Sequence, residues 1–110
     1  MSIYAKIQAA NDARDADAWA KCYHSDFQFV RHQSGTNMDL NQTKEMVKMM
    51  YASDAVVIHS QRCIYENDDI IVAHQVMDFP DNTREAVMVV HTVENGLIVR
   101  TETGATQLNK

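Results

Sequence analysis

The stretch from Ala55 to Ala105, AVVIHSQRCIYENDDIIVAHQVMDFPDNTREAVMVVHTVENGLIVRTETGA, decides the fold. Apolar and β-branched residues recur in it as four runs: Ala55 to Tyr65, Ile70 to Phe79, Arg84 to Val93 and Leu97 to Thr103. Between them, Glu66 to Asp69, Pro80 to Thr83 and Glu94 to Gly96 supply the Asn, Asp, Gly and Pro that tight turns require. Short links between consecutive strands predict a four-stranded antiparallel meander. The two-residue period does not select a single apolar face. Val87, Val89 and Val93 share one parity with His91, while Met88 and Val90 share the other with Thr92. A sheet that is apolar on both faces needs cover on both, so one face is expected to line an interior. The other is expected to meet a second copy of the chain, which predicts a homodimer through the outer sheet face.

Upstream, Ile3, Ile7 and Ala10 fall at helical spacing, predicting a helix from Ser2 to about Arg14 with Ser2 as its cap. Asp15 or Asp17 can cap a second, short helix through Cys22 that sets Trp19, Cys22 and Tyr23 on one side. Asp26 to Gln33 alternates Phe27, Phe29 and Arg31 against Gln28, Val30 and His32, and so reads as a strand ending at Ser34-Gly35. Thr36 to Met38 can return from that turn as a brief strand. Asn41, or alternatively Asp39, caps a helix from Gln42 to Tyr51, on which Met46, Val47, Met49 and Met50 make a Met-rich face.

With 110 residues, the chain reads as one domain over 1–110. Ten Lys and Arg against 15 Asp and Glu leave a formal charge of -5, with no basic patch, which argues against a nucleic-acid partner. Cys22 and Cys63 stand far apart without a CxxC pair and are expected as free, buried thiols. Residues 1–10 lack a signal-peptide core and no run is long enough for a membrane span, so the expected location is cytoplasmic, with no membrane partner.

The order helix, short helix, strand, helix and four antiparallel strands is α+β and excludes a doubly wound sheet. It resembles the cone-shaped fold of the nuclear transport factor 2-like superfamily, which includes ketosteroid isomerases and SnoaL-like cyclases. The resemblance is carried by Asp15-Ala-Asp-Ala-Trp19, Tyr23-His-Ser-Asp-Phe27, Gly35 and Glu94-Asn-Gly-Leu-Ile-Val99. It implies a curved antiparallel sheet wrapped around the N-terminal helices, with a small-molecule ligand inside the cone. Aligned on Gly35, the position of the isomerases' catalytic carboxylate is taken by His32, a residue that can also move protons near neutral pH. The isomerases' other two groups have no counterpart, since Tyr4 lies at the wrong end of its helix and the aspartate position falls near Val89. Arg62, Asp78 and Glu102 are the nearest materials for the water-activating Asp-Arg-Asp set of the epoxide-hydrolase relatives, but their spacings do not match it.

The resemblance places His91 on the interior face. His32 and His91 are therefore the catalytic candidates, with Trp19, Phe29, Met46, Met50, Arg62, Val89 and Glu102 as ligand-binding candidates. A core-anchor role is the stronger reading for Trp19, and a hydrogen-bonded core position the stronger one for His91. Arg62, Glu85, Arg100 and Glu102 lie on adjacent strands and can form an ion network at the surface, or Arg62 can hold a ligand carboxylate. The five histidines contain no HxH, HxxH or HxxxH pair, and no phosphate-binding or cofactor motif is present, so neither a metal nor a cofactor is expected. Two function classes follow: cofactor-independent acid/base chemistry on a small hydrophobic substrate, or a non-catalytic ligand-binding or association module.

Overall fold

The computed structural model describes residues 2–109. Helix α1 (Ile3–Ala13) starts where the Ser2 hydroxyl accepts the Ala5 amide at 3.1 Å. It stops at Arg14, which takes a left-handed conformation at φ 51°. Helix α2 (Ala16–Ala20) is capped by Asp15, whose carboxylate accepts from the Ala18 amide. Helix α3 (Leu40–Tyr51) follows strand β2 (Thr36–Asp39) with no intervening loop. Asp39, not Asn41, caps it: its carboxylate accepts from the Gln42 amide at 2.8 Å while the Gln42 side chain accepts from the Asp39 amide. A residue ending a strand already has the extended backbone that a cap requires, which places the cap before Asn41.

The remaining strands are β1 (Tyr23–Arg31), β3 (Val57–Glu66), β4 (Ile70–Asp78), β5 (Arg84–Glu94) and β6 (Leu97–Leu108). They form one curved six-stranded sheet in the order β2-β1-β6-β5-β4-β3. The meander β3 to β6 is antiparallel throughout, as its short turns require. Asn95 and Gly96, at φ 52° and 78°, make the two-residue turn whose twist matches the β5–β6 hairpin. Two boundaries differ from the expected ones for a tertiary reason. Strand β1 begins at Tyr23 because it runs parallel to β6, pairing Tyr23 with Ile98, and β6 continues to Leu108 because Arg84 pairs with it.

Strand parity decides what is enclosed. Ile71, Ala73, Val87, Val89, Val93 and Ile98 are buried on the concave face, whereas Met88 on the other face is 43% exposed. The closed end of the cone is filled by Phe27, Ile71 and Ile98 together with Trp19, Tyr23, Val47 and Val93. Trp19 lies on Tyr23 with ring centroids 4.2 Å apart, and Tyr23 meets Phe27 edge-on at 4.7 Å, a geometry favourable to the ring quadrupoles. Ala73, Val87 and Val89 form a second cluster with Tyr4, Met77 and Ala105. Cys22 is buried as expected, but Cys63 is exposed because β3 is an edge strand interrupted by bulges. Among the described residues no helix is long and apolar enough to cross a membrane.

Candidate functional site

Above the filled end, the helices and the concave sheet face leave a cavity of about 540 Å³. Strand β5 gives the depth axis: Val93 belongs to the filled end, and His91, Val89, Val87 and Glu85 follow on the same face. Successive same-face residues are roughly 7 Å apart along a strand, so these four span roughly 20 Å from floor to rim. Phe29, Ala73, Met77, Thr101 and Thr103 complete the sheet wall. Tyr4, Ile7, Gln8 and Asn11 line it from α1, and Thr43, Met46, Val47, Met50 and Tyr51 from α3. The two helices are tied across their ends by the Tyr51 phenol, which donates to the Asn11 side-chain oxygen. Burial pushes that phenol up to about 12, helped by the nearby Asp15, so it remains a donor at every ordinary pH.

His91 is the histidine on the cavity lining, one step above Val93 of the filled end. Its Nδ1 lies 2.7 Å from the hydroxyl of Thr101, its ladder neighbour, which is only 4% exposed. Burial pushes the imidazole down to about 4, so it is neutral at pH 7. Nε2 has no hydrogen-bond partner among the described residues, and the surface that His91 retains opens on the cavity. The site therefore offers one neutral nitrogen to a ligand. Whether Nε2 donates or accepts follows from which of Nδ1 and the Thr101 oxygen holds their shared proton. Higher on the wall, Gln61 donates to Gln75 at 3.0 Å, and the Thr103 hydroxyl donates to Gln33 at 3.2 Å.

Of the residues singled out from the sequence, Trp19, Phe29, Met46, Met50, Val89 and His91 line the cavity together. Three do not. His32 lies beyond the end of β1 with its side chain 59% exposed, and donates through Nε2 to Glu102 at 3.0 Å. Glu102, on the outer parity of β6, also pairs with Arg100 at 3.3 Å, and these two contacts hold its carboxyl below the usual carboxylate range. Arg62 is exposed on β3 opposite His74. The four-residue ion network does not assemble either. Arg100 and Glu102 pair, but Glu85 faces the cavity and Arg62 has no ionic partner among the described residues. Alternation is the reason: Arg100 and Glu102 share a face that Glu85, one strand away, does not.

Sequence reading passed over Thr101, Thr103, Tyr51, Gln75 and Arg31, all on the lining. Parity with Phe29 and Val89 would have indicated the two threonines and Arg31. Outside the cone, Asp78 accepts from Arg84 at 2.6 and 3.1 Å and lies 2.9 Å from His59 Nε2, which pins the outer corner of β3, β4 and β5. Among the described residues, no three His, Cys, Asp or Glu side chains gather as a metal site.

Comparison with known proteins agrees with this architecture. The model of the SnoaL-like domain matches residues 5–101. A candidate ketosteroid isomerase from Kribbella flavida DSM 17836 superposes with a TM-score of 0.75 at 12% identity, over 98% of this chain and 78% of its own. IdmH from Streptomyces antibioticus, a proposed polyketide cyclase, superposes at 0.70 with 14% identity, over 94% and 88%. A protein of ketosteroid isomerase-like fold from Catenulispora acidiphila DSM 44928, solved with trimethylamine, superposes at 0.66 with 16% identity, over 93% and 83%. Identities this low speak for the fold alone. No curated protein sequence matches the chain significantly.

Proposed function

The chain belongs to the SnoaL-like domain family of the nuclear transport factor 2-like superfamily, and from that membership we propose that it binds a small, mostly apolar molecule inside its cone. The observation that carries this reading is the cavity of about 540 Å³, within the usual range for small-molecule sites, whose apolar wall presents one unpartnered imidazole nitrogen near its floor. Several neighbours on that wall are adaptable side chains, Met46, Met50 and Met77, which suit a ligand of irregular shape. The protein of this fold from Catenulispora acidiphila, solved in complex with trimethylamine, is consistent with a small-molecule role.

Acid/base chemistry without a cofactor rests on His91 in this proposal, since His32 and Arg62 stand outside the cavity. A base whose conjugate acid forms only near pH 4 takes protons weakly at pH 7, and Thr101 is not a carboxylate that would strengthen it. These two facts favour the second reading, a binding module in which His91 orients the ligand. The outer residues Val72, Val76, Ala86, Met88 and Val90 are half-buried or exposed, which supports association of two copies through that face. Val76→Asp is expected to convert a dimer to a monomer in sedimentation, and a wild-type monomer at micromolar concentration removes that part of the proposal.

The cavity is tested with N-phenyl-1-naphthylamine, a neutral probe that brightens in apolar surroundings. The wild type is expected to bind it saturably, and Val89→Trp, which fills the middle of the cavity, is expected to lose that binding while staying folded. Equal binding by both proteins, or none by the wild type, refutes the cavity reading. Proton transfer is tested separately by deuterium exchange at the α-carbon of 2-decalone. Exchange unaffected by His91→Gln leaves binding without catalysis.

A further inference from the structure

Among the described residues, three cations are half-buried, Arg31, Lys44 and Arg84, and two of them have carboxylates. Lys44 holds Asp17 at 2.7 Å and Arg84 holds Asp78 at 2.6 Å. Arg31 has no ion-pair or side-chain hydrogen-bond partner among the described residues, and it lines the cavity. The other arginine on the lining, Arg14, is occupied by Asp54 at 2.7 Å and by the Tyr51 carbonyl at 3.0 Å. A half-buried arginine on a cavity wall, with no counter-charge among the described residues, is a site that an anionic ligand group can fill.

We propose that the cavity takes a ligand with an apolar body and a carboxylate, and that Arg31 holds the carboxylate. This inference rests on the cavity-binding reading above and names its ligand class. Arg31 has the same parity on β1 as Phe27 and Phe29, and its ladder partner on β6 is Thr103. The Thr103 hydroxyl donates to the Gln33 side-chain oxygen, and Gln33, which also lines the cavity, keeps its amide NH₂ free to donate to a ligand. Arg31 presents a planar fork that matches both oxygens of one carboxylate, a geometry that lysine cannot reproduce.

Among the described residues no carboxylate pairs with Arg31, although Asp12 on α1 and Glu85 on β5 also line the cavity. Glu102, next to Thr103 in sequence, is turned outward to His32 and Arg100. Glu85 lines the cavity, but it stands two strands across from Arg31 and four residues along β5 from Val89, the residue level with Arg31. Strand spacing and rise put those backbones roughly 17 Å apart. His91 is two residues from Val89 in the opposite direction, deeper in the cone, at a backbone separation from Arg31 of roughly 12 Å by the same arithmetic. Both side chains point inward. A carboxylate on Arg31 therefore sets the ligand's next few carbons towards His91 Nε2, with the apolar remainder against Met46, Met50 and Val89.

The test is displacement of N-phenyl-1-naphthylamine by a matched pair, 2-naphthylacetate and 2-naphthylacetamide, at pH 7 in wild type, Arg31→Gln and Arg31→Lys. A hydrogen bond to a charged group implies that the acid outcompetes the amide by roughly 10- to 100-fold in the wild type. Arg31→Gln is expected to abolish that preference, each protein's displacement being read against its own affinity for the probe, and Arg31→Lys to keep part of it. Equal displacement by acid and amide in the wild type overturns the inference, as does an acid preference that survives Arg31→Gln. Failure of the probe itself to bind overturns the cavity reading, and this inference with it. A circular-dichroism melt of each variant identifies loss of fold, and Arg31→Lys, which keeps the charge, decides the matter if Arg31→Gln unfolds.

Discussion

His91 is neutral at pH 7 because burial makes its charged form costly, and that cost must appear in the stability of the protein at acid pH. Its folded value is about 4, against 6.5 for an unburied imidazole. Below 6.5 the unfolded chain takes up a proton that the folded chain refuses, so lowering the pH favours unfolding. The contribution is fully present above pH 6.5, declines as pH falls towards 4, and is flat below, where both states are protonated. Two and a half units at about 1.4 kcal/mol each make the total about 3 kcal/mol. Between pH 7 and pH 4.5 most of it, about 2 kcal/mol, is lost.

The assay is urea unfolding of wild type and His91→Gln at pH 7, 6, 5 and 4.5. Glutamine keeps a polar group beside Thr101 but does not titrate. Every other ionisable group is common to the two proteins, so the difference between them isolates His91. The wild type is expected to lose about 2 kcal/mol more than the variant over this range, a shift of roughly 10 °C in melting midpoint for a domain of this size. Parallel loss of stability in the two proteins refutes the argument, because it means that the folded protein admits a proton to His91 as readily as water does. An apolar, tightly bound ligand is expected to widen the difference by excluding solvent from the cavity.

Three further outcomes follow. Phe27→Ala empties the closed end, where Phe27 is 1% exposed, and is expected to cost about 3–5 kcal/mol in urea unfolding. Asp39→Ala removes one half of the capping box of α3 and is expected to cost about 1 kcal/mol, with Asp39→Asn recovering most of it. His32→Ala breaks a mostly exposed pair with Glu102 and is expected to change stability by under about 1 kcal/mol. It should leave affinity for N-phenyl-1-naphthylamine unchanged, whereas a fivefold loss would place His32 at the cavity after all.

Much of the fold was legible because its signals are local. Four β-branched runs with turn residues between them define the meander, and the turn expected at Glu94 to Gly96 is the two-residue turn Asn95-Gly96, Glu94 being the last residue of β5. Ser2 and Asp15 announce their helices through the cap chemistry that the structure contains. What was not legible depends on contacts between distant segments. No feature within Tyr23 to Arg31 shows that the strand runs parallel to β6, so neither its start at Tyr23 nor the continuation of β6 to Leu108 could be read. The exposure of Cys63 has the same origin, since nothing in its own run says that β3 is an edge.

Trp19, Phe29, Met46, Met50, Val89 and His91 line the cavity as expected, and strand alternation explains why His32 and Glu102 do not. Phe29 and His32 have opposite parity on the first strand, where Phe27, Phe29 and Arg31 alternate against Gln28, Val30 and His32. A strand cannot turn both sets inward unless a bulge intervenes, and β1 pairs with β6 in unbroken register from Gln28 to Arg31. Phe29 is apolar and must be enclosed, so His32 goes outside and its neighbour Arg31 goes in. The same reasoning moves Glu102 out and Thr101 and Thr103 in, because Thr103 is level with Val89 across the β5–β6 ladder. Alignment on a turn carried the catalytic assignment to a position one residue away from the inward face. In a pleated sheet a shift of one residue exchanges a cavity wall for solvent, and here it exchanges an exposed histidine bound to a carboxylate for an arginine that has none.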